Sequence, residues 1–355
     1  MKNIFLVFFS ICIALCVSEA TLRVVARHAN FTGVTLNYPP LFFSKRGYWL
    51  NPDHGQYQPF CWRSDVQYYY YPFHLTNTPI NQAATHILVL GDSFTFGWEL
   101  PWKDTYLYHI QNKIDQTFGK NKFQLLNAAV EGWGTSDQLA YLEEHGAETS
   151  PKYVLIFLNT DDIGRSMKQS IYKYSATNPP HLIENFHPLH RYLIDEIYDS
   201  WLFKNSTLLH LLYTLHVMHA EKKQKIPTYF HEFPSSYGLK YQDKFAVQYG
   251  EALFLQINQW CKQHHAKLLV VTTGFNVFYP KDLREPTKIF LAAAPAFFQK
   301  EHIPFYDGAQ PLKKMVAGKI FLIPRDDHPN AFGASVIATV NWLWIRQELG
   351  RQHYM

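Results

Sequence analysis

From Ile87 onward the chain alternates short apolar runs with longer amphipathic stretches, and this alternation restricts the fold more than any other feature. The apolar runs are Ile87–Leu90, Phe123–Leu126, Tyr153–Leu158, Lys267–Thr272 and Ile303–Tyr306. Helical patterns lie between and after them, at Tyr106–Phe118, Ser136–Glu148, Ala246–His264, Ile289–Glu301 and Ala331–Leu349. Runs of this kind suit strands covered on both faces, and helices between them supply the crossovers that parallel strands need. The pattern predicts an α/β protein: a three-layer α/β/α sandwich around a central, mostly parallel five-stranded sheet.

Two stretches depart from the alternation. Residues 23–83 carry prolines, tyrosines and few periodic runs, and read as an N-terminal extension packed on the main domain, with strand or hairpin structure at Val66 to Phe73. The main domain spans 84–350. Within it, about 165–248 is rich in His, Tyr and Pro, with a helical pattern from Ile194 to Leu215. A crossover needs far less chain, so this stretch reads as a helical insertion forming a lid or a pocket wall.

Residues 1–22 form a leader. Lys2 precedes an apolar run from Ile4 to Val17, shorter than the roughly 20 residues of a spanning helix and close to the apolar region of a signal peptide. Ser18 and Ala20 put small residues where a signal peptidase cuts. Prolonged through Leu22, Val24 and Val25, the same segment reads as an uncleaved membrane anchor. Either way the body is exported, to a periplasm or the exterior. Of the four cysteines, Cys12 and Cys16 belong to the leader, leaving Cys61 and Cys261 to pair or to remain buried thiols.

Composition excludes more than it assigns. Hydrophobic residues at 47% and charged residues at 17% describe a folded chain. A net charge of +4, with basic residues scattered apart from Lys222, Lys223 and Lys225, offers no dense basic face for nucleic acid. His187 and His190 flank Pro188 and Leu189 without a nearby third ligand, so they read as pocket or surface residues and no metal is expected. The run Tyr68 to Tyr71 suits sheet packing first and a carbohydrate surface second.

The chemistry gathers at two places. Gly91-Asp92-Ser93 follows the first strand, with Gly97 just beyond, so a tight strand-to-helix turn can present the Ser93 hydroxyl at the carboxyl end of the sheet. A serine hydroxyl needs a base, and among eighteen histidines His328 is the best placed. Asp326 stands two residues before it, and Asn330 opens the last helix just after it. Asp327 competes with Asp326 as the orienting carboxylate. Asp92 reads as a structural group that bonds the backbone of the turn.

These residues resemble the SGNH, or GDSL, family of esterases and lipases. Gly91-Asp92-Ser93-Phe94-Thr95-Phe96-Gly97 is similar to its nucleophile turn, Asn127 to Thr135 to its second block, and Asp326-Asp327-His328 to its last. The resemblance runs from about His86 to Leu349, apart from the insertion. It implies a triad of Ser93, His328 and Asp326, with the oxyanion held by the backbone of Ser93 and Gly132 and by a third-block asparagine. It implies acyl transfer through a covalent acyl-enzyme, with no cofactor. The third block departs from the pattern: Asn159-Thr160-Asp161-Asp162 puts Asp161 where the asparagine amide belongs. An ionised carboxylate cannot donate a hydrogen bond. Asn159 supplies the amide instead, or Asp161 is held protonated, or the site is weakened.

The sequence therefore supports an exported serine esterase acting on a small-molecule or glycan-linked acyl ester, O-acetyl groups on carbohydrate among them. Two alternatives stand beside it. One is an O-acyltransferase that modifies a surface glycan with the same triad. The other is a catalytically silent glycan-binding module on the same fold.

Overall fold

The computed structural model describes residues 2–28, 42–44, 46, 48–57, 66–159, 161–169, 171–175, 181–184, 206, 208–209, 212, 239–274, 285–319, 321–323 and 328–351. Helix α1 (Lys2–His28) comes first. It is followed by an antiparallel pair, β1 (Phe42–Phe43) and β2 (Trp49–Leu50). A three-stranded antiparallel sheet is formed by β3 (Gly55–Tyr57), β4 (Tyr68–Tyr71) and β5 (Leu75–Thr76). The main domain then runs β6 (Thr85–Leu90), α2 (Ser93–Phe96), α3 (Tyr106–Phe118), β7 (Phe123–Asn127), α4 (Thr135–His145), β8 (Tyr153–Leu158) and α5 (Asp162–Gln169). After the antiparallel pair β9 (Tyr172–Ser175) and β10 (His181–Glu184) come α6 (Leu239–Gln263), β11 (Lys267–Thr272), α7 (Glu285–Lys300), β12 (Phe305–Tyr306), α8 (Ala309–Val316) and α9 (Ala331–Gly350).

The central sheet has five strands in the order β12-β11-β8-β6-β7, every neighbouring pair parallel. Strand β8 shows why its run is continuously apolar. All of its residues are buried, and successive side chains enter different cores. Val154, Ile156 and Leu158 join Leu88 and Leu90 beneath α4, α5, α6 and α7. Tyr153, Leu155 and Phe157 join Ile87 and Val89 beneath α3 and α9. A period of two splits one strand between two helical layers, which makes the molecule a three-layer α/β/α sandwich. Helix α3 packs through Leu107, Ile110 and Ile114, one face of a helix at this spacing. Truncating one such fully buried side chain to alanine costs about 2–5 kcal/mol.

Strand order positions the site. Numbered by their place in the chain, the sheet strands run 2-1-3-4-5, so the order reverses between β6 and β8. Connections leave these two strands toward opposite sides, and a crevice opens at their carboxyl ends. The Gly-Asp-Ser turn follows β6 and the third block follows β8.

Described residues between 46 and 70 pack against this edge. Tyr68 and Tyr70 are buried and Tyr69 is exposed, the alternation of a strand. The Tyr68 hydroxyl accepts from the Glu99 backbone at 2.9 Å, and its ring meets Phe96 at 4.5 Å. Asn51 Nδ2 donates to the Ala129 carbonyl at 3.0 Å, and Tyr48 packs edge-on against Trp133 at 5.9 Å. Arg46 bonds to Glu143 on α4 and lies 3.5 Å from both Glu144 and Glu184.

The long stretch from 165 to 248 begins inside α5 and ends inside α6, and both helices contribute to the core. Of the pattern from Ile194 to Leu215, only 206, 208–209 and 212 are described, and 208, 209 and 212 are helical. His187, His190, the 222–225 lysines and Cys61 lie outside the described residues. Cys261 is a free, buried thiol on α6, and burial pushes its pKa up to about 12. Among the described residues of α1, Val7, Phe9, Ile11, Ile13, Leu15 and Val17 are exposed. Among the described residues no helix is long and apolar enough to cross a membrane.

Candidate active site

Ser93 is the first residue of α2 and is buried. Asp92 caps that helix from an extended conformation, accepting from the Phe94 N–H at 3.0 Å, and the Gly97 N–H closes the turn on the Ser93 carbonyl at 3.1 Å. The turn tolerates no side chain at Gly91, where a Cβ would lie 2.0 Å from Thr95 Oγ1. Thr95 is itself held by the Tyr106 hydroxyl at 2.7 Å. These contacts fix the backbone that aims Ser93.

His328 reaches Ser93 from the far end of the chain. Its Nε2 lies 2.7 Å from Ser93 Oγ. With the ring proton on Nδ1, the hydroxyl donates to Nε2, as a general base requires. Three local contacts hold the histidine. The Ile323 N–H donates to the His328 carbonyl at 2.9 Å, Leu322 and Pro329 form an antiparallel bridge, and Asn330 Nδ2 donates to the Leu322 carbonyl at 3.2 Å. Asn330 also caps α9, accepting from the Gly333 N–H at 2.9 Å. Phe94 and Trp98 place their rings 5.0 and 6.2 Å from the imidazole. Neither ring was expected beside His328 from the sequence alone. Asp326 and Asp327 lie outside the described residues.

The second block leaves β7 and turns at Gly132, whose φ of +77° favours glycine. Its frame is tied to β6: the Ala128 N–H donates to Val89 at 3.0 Å, and the Val130 N–H to the Gly91 carbonyl at 3.4 Å. Trp133, fully buried, fixes the far side of this turn.

The third block lies against the nucleophile turn. Asn159, buried at the end of β8, donates from Nδ2 to Asp92 Oδ2 at 2.7 Å and accepts at Oδ1 from Thr273 at 2.8 Å. One N–H of its amide is therefore committed to the residue before Ser93. Asp161 does not continue the strand. It sits in the turn into α5, half-buried, with its carboxylate 3.5 Å from Arg165 Nη2. Arg165 was no part of the sequence expectation, yet its Nη1 donates to Asp92 Oδ2 at 3.0 Å and to the Trp133 carbonyl at 3.2 Å.

Carboxyl groups crowd this corner. Asp162 is fully buried, accepting from the Asn159 N–H at 3.0 Å, and burial together with the charge of Asp92 raises its pKa well above the usual carboxylate range. Asp137, which accepts from the Gly134 N–H at 2.8 Å, is raised to about 7 by burial. Arg165 moves the other way from what its burial alone would cause. Desolvation opposes its charge, but Asp92, Asp162 and Asp161 outweigh it and hold the guanidinium above its ordinary value. Among the described residues no group of three or more His, Cys, Asp or Glu is arranged to hold a metal ion.

No family model and no curated protein matches the chain. Among solved structures it is similar to TesA, at 13% identity and a TM-score of 0.43, over 74% of this chain and 99% of that one. It is similar to the psychrotrophic esterase EstA from Pseudoalteromonas sp., at 14% identity and a TM-score of 0.42, over 75% of this chain and 99% of that one. A catalytic mutant of Axe2, an acetylxylan esterase from Geobacillus stearothermophilus, matches at 12% identity and a TM-score of 0.43, over 74% of this chain and 94% of that one.

Proposed function

We propose that this chain is a serine carboxylic ester hydrolase of the SGNH type, acting on small-molecule or glycan-linked acyl esters. The observation that carries the reading is the 2.7 Å contact between Ser93 Oγ and His328 Nε2, made at the strand-order reversal where an open α/β sheet binds ligands. Ser93 Oγ attacks the ester carbonyl and its proton passes to His328 Nε2 as the C–O bond forms. The carbonyl electron pair moves onto oxygen, toward the backbone N–H groups of Ser93 and Gly132, with the Asn159–Asp161 turn alongside. Collapse expels the alcohol, which takes the proton from His328. Water, activated by the same histidine, then releases the acid. In this scheme Asp326 orients the imidazole and stabilises its charged form. The apolar side chains exposed along α1 support export, with the leader cleaved or kept as an attachment to a membrane.

Turnover of a chromogenic acetyl ester tests the reading. Ser93→Ala and His328→Ala should each lower kcat by at least about 10³-fold, and a fluorophosphonate should label wild type at Ser93. A variant that keeps wild-type turnover would refute the assignment. Absence of labelling in the wild type would favour a glycan-binding module, the reading that Asp161 supports. Supplying a glycan acceptor and comparing free acetate with acetylated sugar separates hydrolysis from transfer.

A further inference from the structure

A carboxylate near a developing oxyanion opposes the negative charge that acyl transfer creates, and Asp161 stands in the third block, in the turn from β8 into α5. The same turn supplies a cation. Arg165 follows Asp161 by one helical turn, and its backbone N–H donates to the Asp161 carbonyl at 2.7 Å. Its guanidinium is held on three sides: Asp92 Oδ2 at 3.0 Å, the Trp133 carbonyl at 3.2 Å and Asp161 Oδ2 at 3.5 Å. Each partner borders a group of the proposed chemistry. Asp92 precedes the nucleophile, Trp133 follows Gly132, and Asp161 occupies the third block. The Asp92 oxygen that Arg165 meets also takes the Asn159 amide. One side chain thus joins three turns that the chain delivers separately, from the ends of β6, β7 and β8.

We infer that Arg165 is the positioning residue that lets this site work with an aspartate in the third block: it neutralises Asp161 and holds the Ser93 and Gly132 turns in register. The inference rests on the serine-esterase reading. A planar guanidinium meets acceptors in several directions at once, whereas a lysine ammonium on the same stem is a point charge and cannot span them. Arg165 engages two carboxylates, together with a backbone carbonyl of the turn that carries the Gly132 N–H.

The test uses the full chain, with kcat and KM for p-nitrophenyl acetate and the rate of fluorophosphonate labelling at Ser93, on protein whose folding is verified by thermal melting. Arg165→Met should lower kcat by about 100-fold, with KM within about threefold. Arg165→Lys should lose about tenfold. Placed in the Arg165→Met background, Asp161→Asn should restore at least about tenfold of the lost kcat. That rescue in folded protein is what a purely structural arginine would not give, because Asp161→Asn removes a charge and repairs no packing. Wild-type kcat in Arg165→Met, or a folded double variant no faster than Arg165→Met, overturns the inference. If Arg165→Met does not fold, the other variants decide: a loss above about tenfold in Asp161→Asn, or unchanged kcat in Arg165→Lys, overturns it. Failure of wild type to label removes the esterase reading itself. Labelling of wild type and Arg165→Met at equal rates removes only the role of Arg165.

Discussion

The turns that follow β6 and β8 meet at one crevice and are built on opposite principles. The β6 turn is fixed by geometry. A glycine allows Thr95 to close in, Asp92 caps a short helix, and Ser93 emerges toward a histidine set among aromatic rings. The β8 turn is fixed by charge. Asp161 and Asp162 lie within it, Asp92 presses on it, and Arg165 answers them from the next helical turn. The β6 turn is thus held by backbone closure around Gly91 and by the Asp92 cap, whereas the proposed oxyanion side is held by a cluster of charged side chains.

Removing Asp92 should break this division most severely, because it is the group the two turns share. Asp92→Ala leaves Asn159 and Arg165 without their common acceptor, and loss of one partner of a buried pair costs about 3–5 kcal/mol. Urea unfolding measures this, and a change below about 1 kcal/mol would show the turns to be independent.

The buried carboxyls around Arg165 should also give the molecule a pH signature. Burial raises Asp137 to about 7, so the folded state keeps a proton that the unfolded chain releases near its ordinary value. The contribution to stability is complete below that ordinary value and is lost as pH rises through about 7. The slope reaches at most about 1.4 kcal/mol per pH unit between about 4 and 7. Asp162, shifted the same way, adds to the slope. Asp137→Asn should flatten the urea midpoint against pH over that window, and an unchanged slope would exclude Asp137 as its source.

A smaller effect is expected on the geometric side. Asn330→Ala removes the cap of α9 and the tie to Leu322, costing about 1 kcal/mol. It should lower kcat more than it lowers stability, since His328 stands two residues away. The reference for all of these is Lys300→Ala. Its exposed contact with Glu301 should contribute no more than about 0.5 kcal/mol, with kcat unchanged.

How much of this was legible in the chain follows from the same contrast. Strands buried on both faces announce themselves as apolar runs, and Tyr153–Leu158 is observed with the predicted bounds. Edge and polar segments do not. The last strand shrinks from Ile303–Tyr306 to Phe305–Tyr306, because among the described residues it pairs with β11 alone and is half-exposed. Helix α6 begins at Leu239 and not Ala246, since the polar residues at its start have helix propensity but no apolar period. In the site, the Gly-Asp-Ser turn was readable because its geometry is local. The link from Asn159 to Asp92 spans 67 positions, and Arg165 is defined by three turns distant in the chain. Only the folded topology brings such groups together. A basic residue at i+4 from an unexpected aspartate was the one available hint.

The packing of Asn51 on Ala129 and of Tyr48 on Trp133 bears on how the chain should be cut for study. A minimal catalytic fragment drawn from motifs alone would start just ahead of β6 and keep every reactive residue. It would also discard the floor under the loop that carries Gly132 and the Trp133 carbonyl. Such a fragment would hold the full reactive inventory and lose part of its alignment, so poor turnover from it would report the cut and not the enzyme.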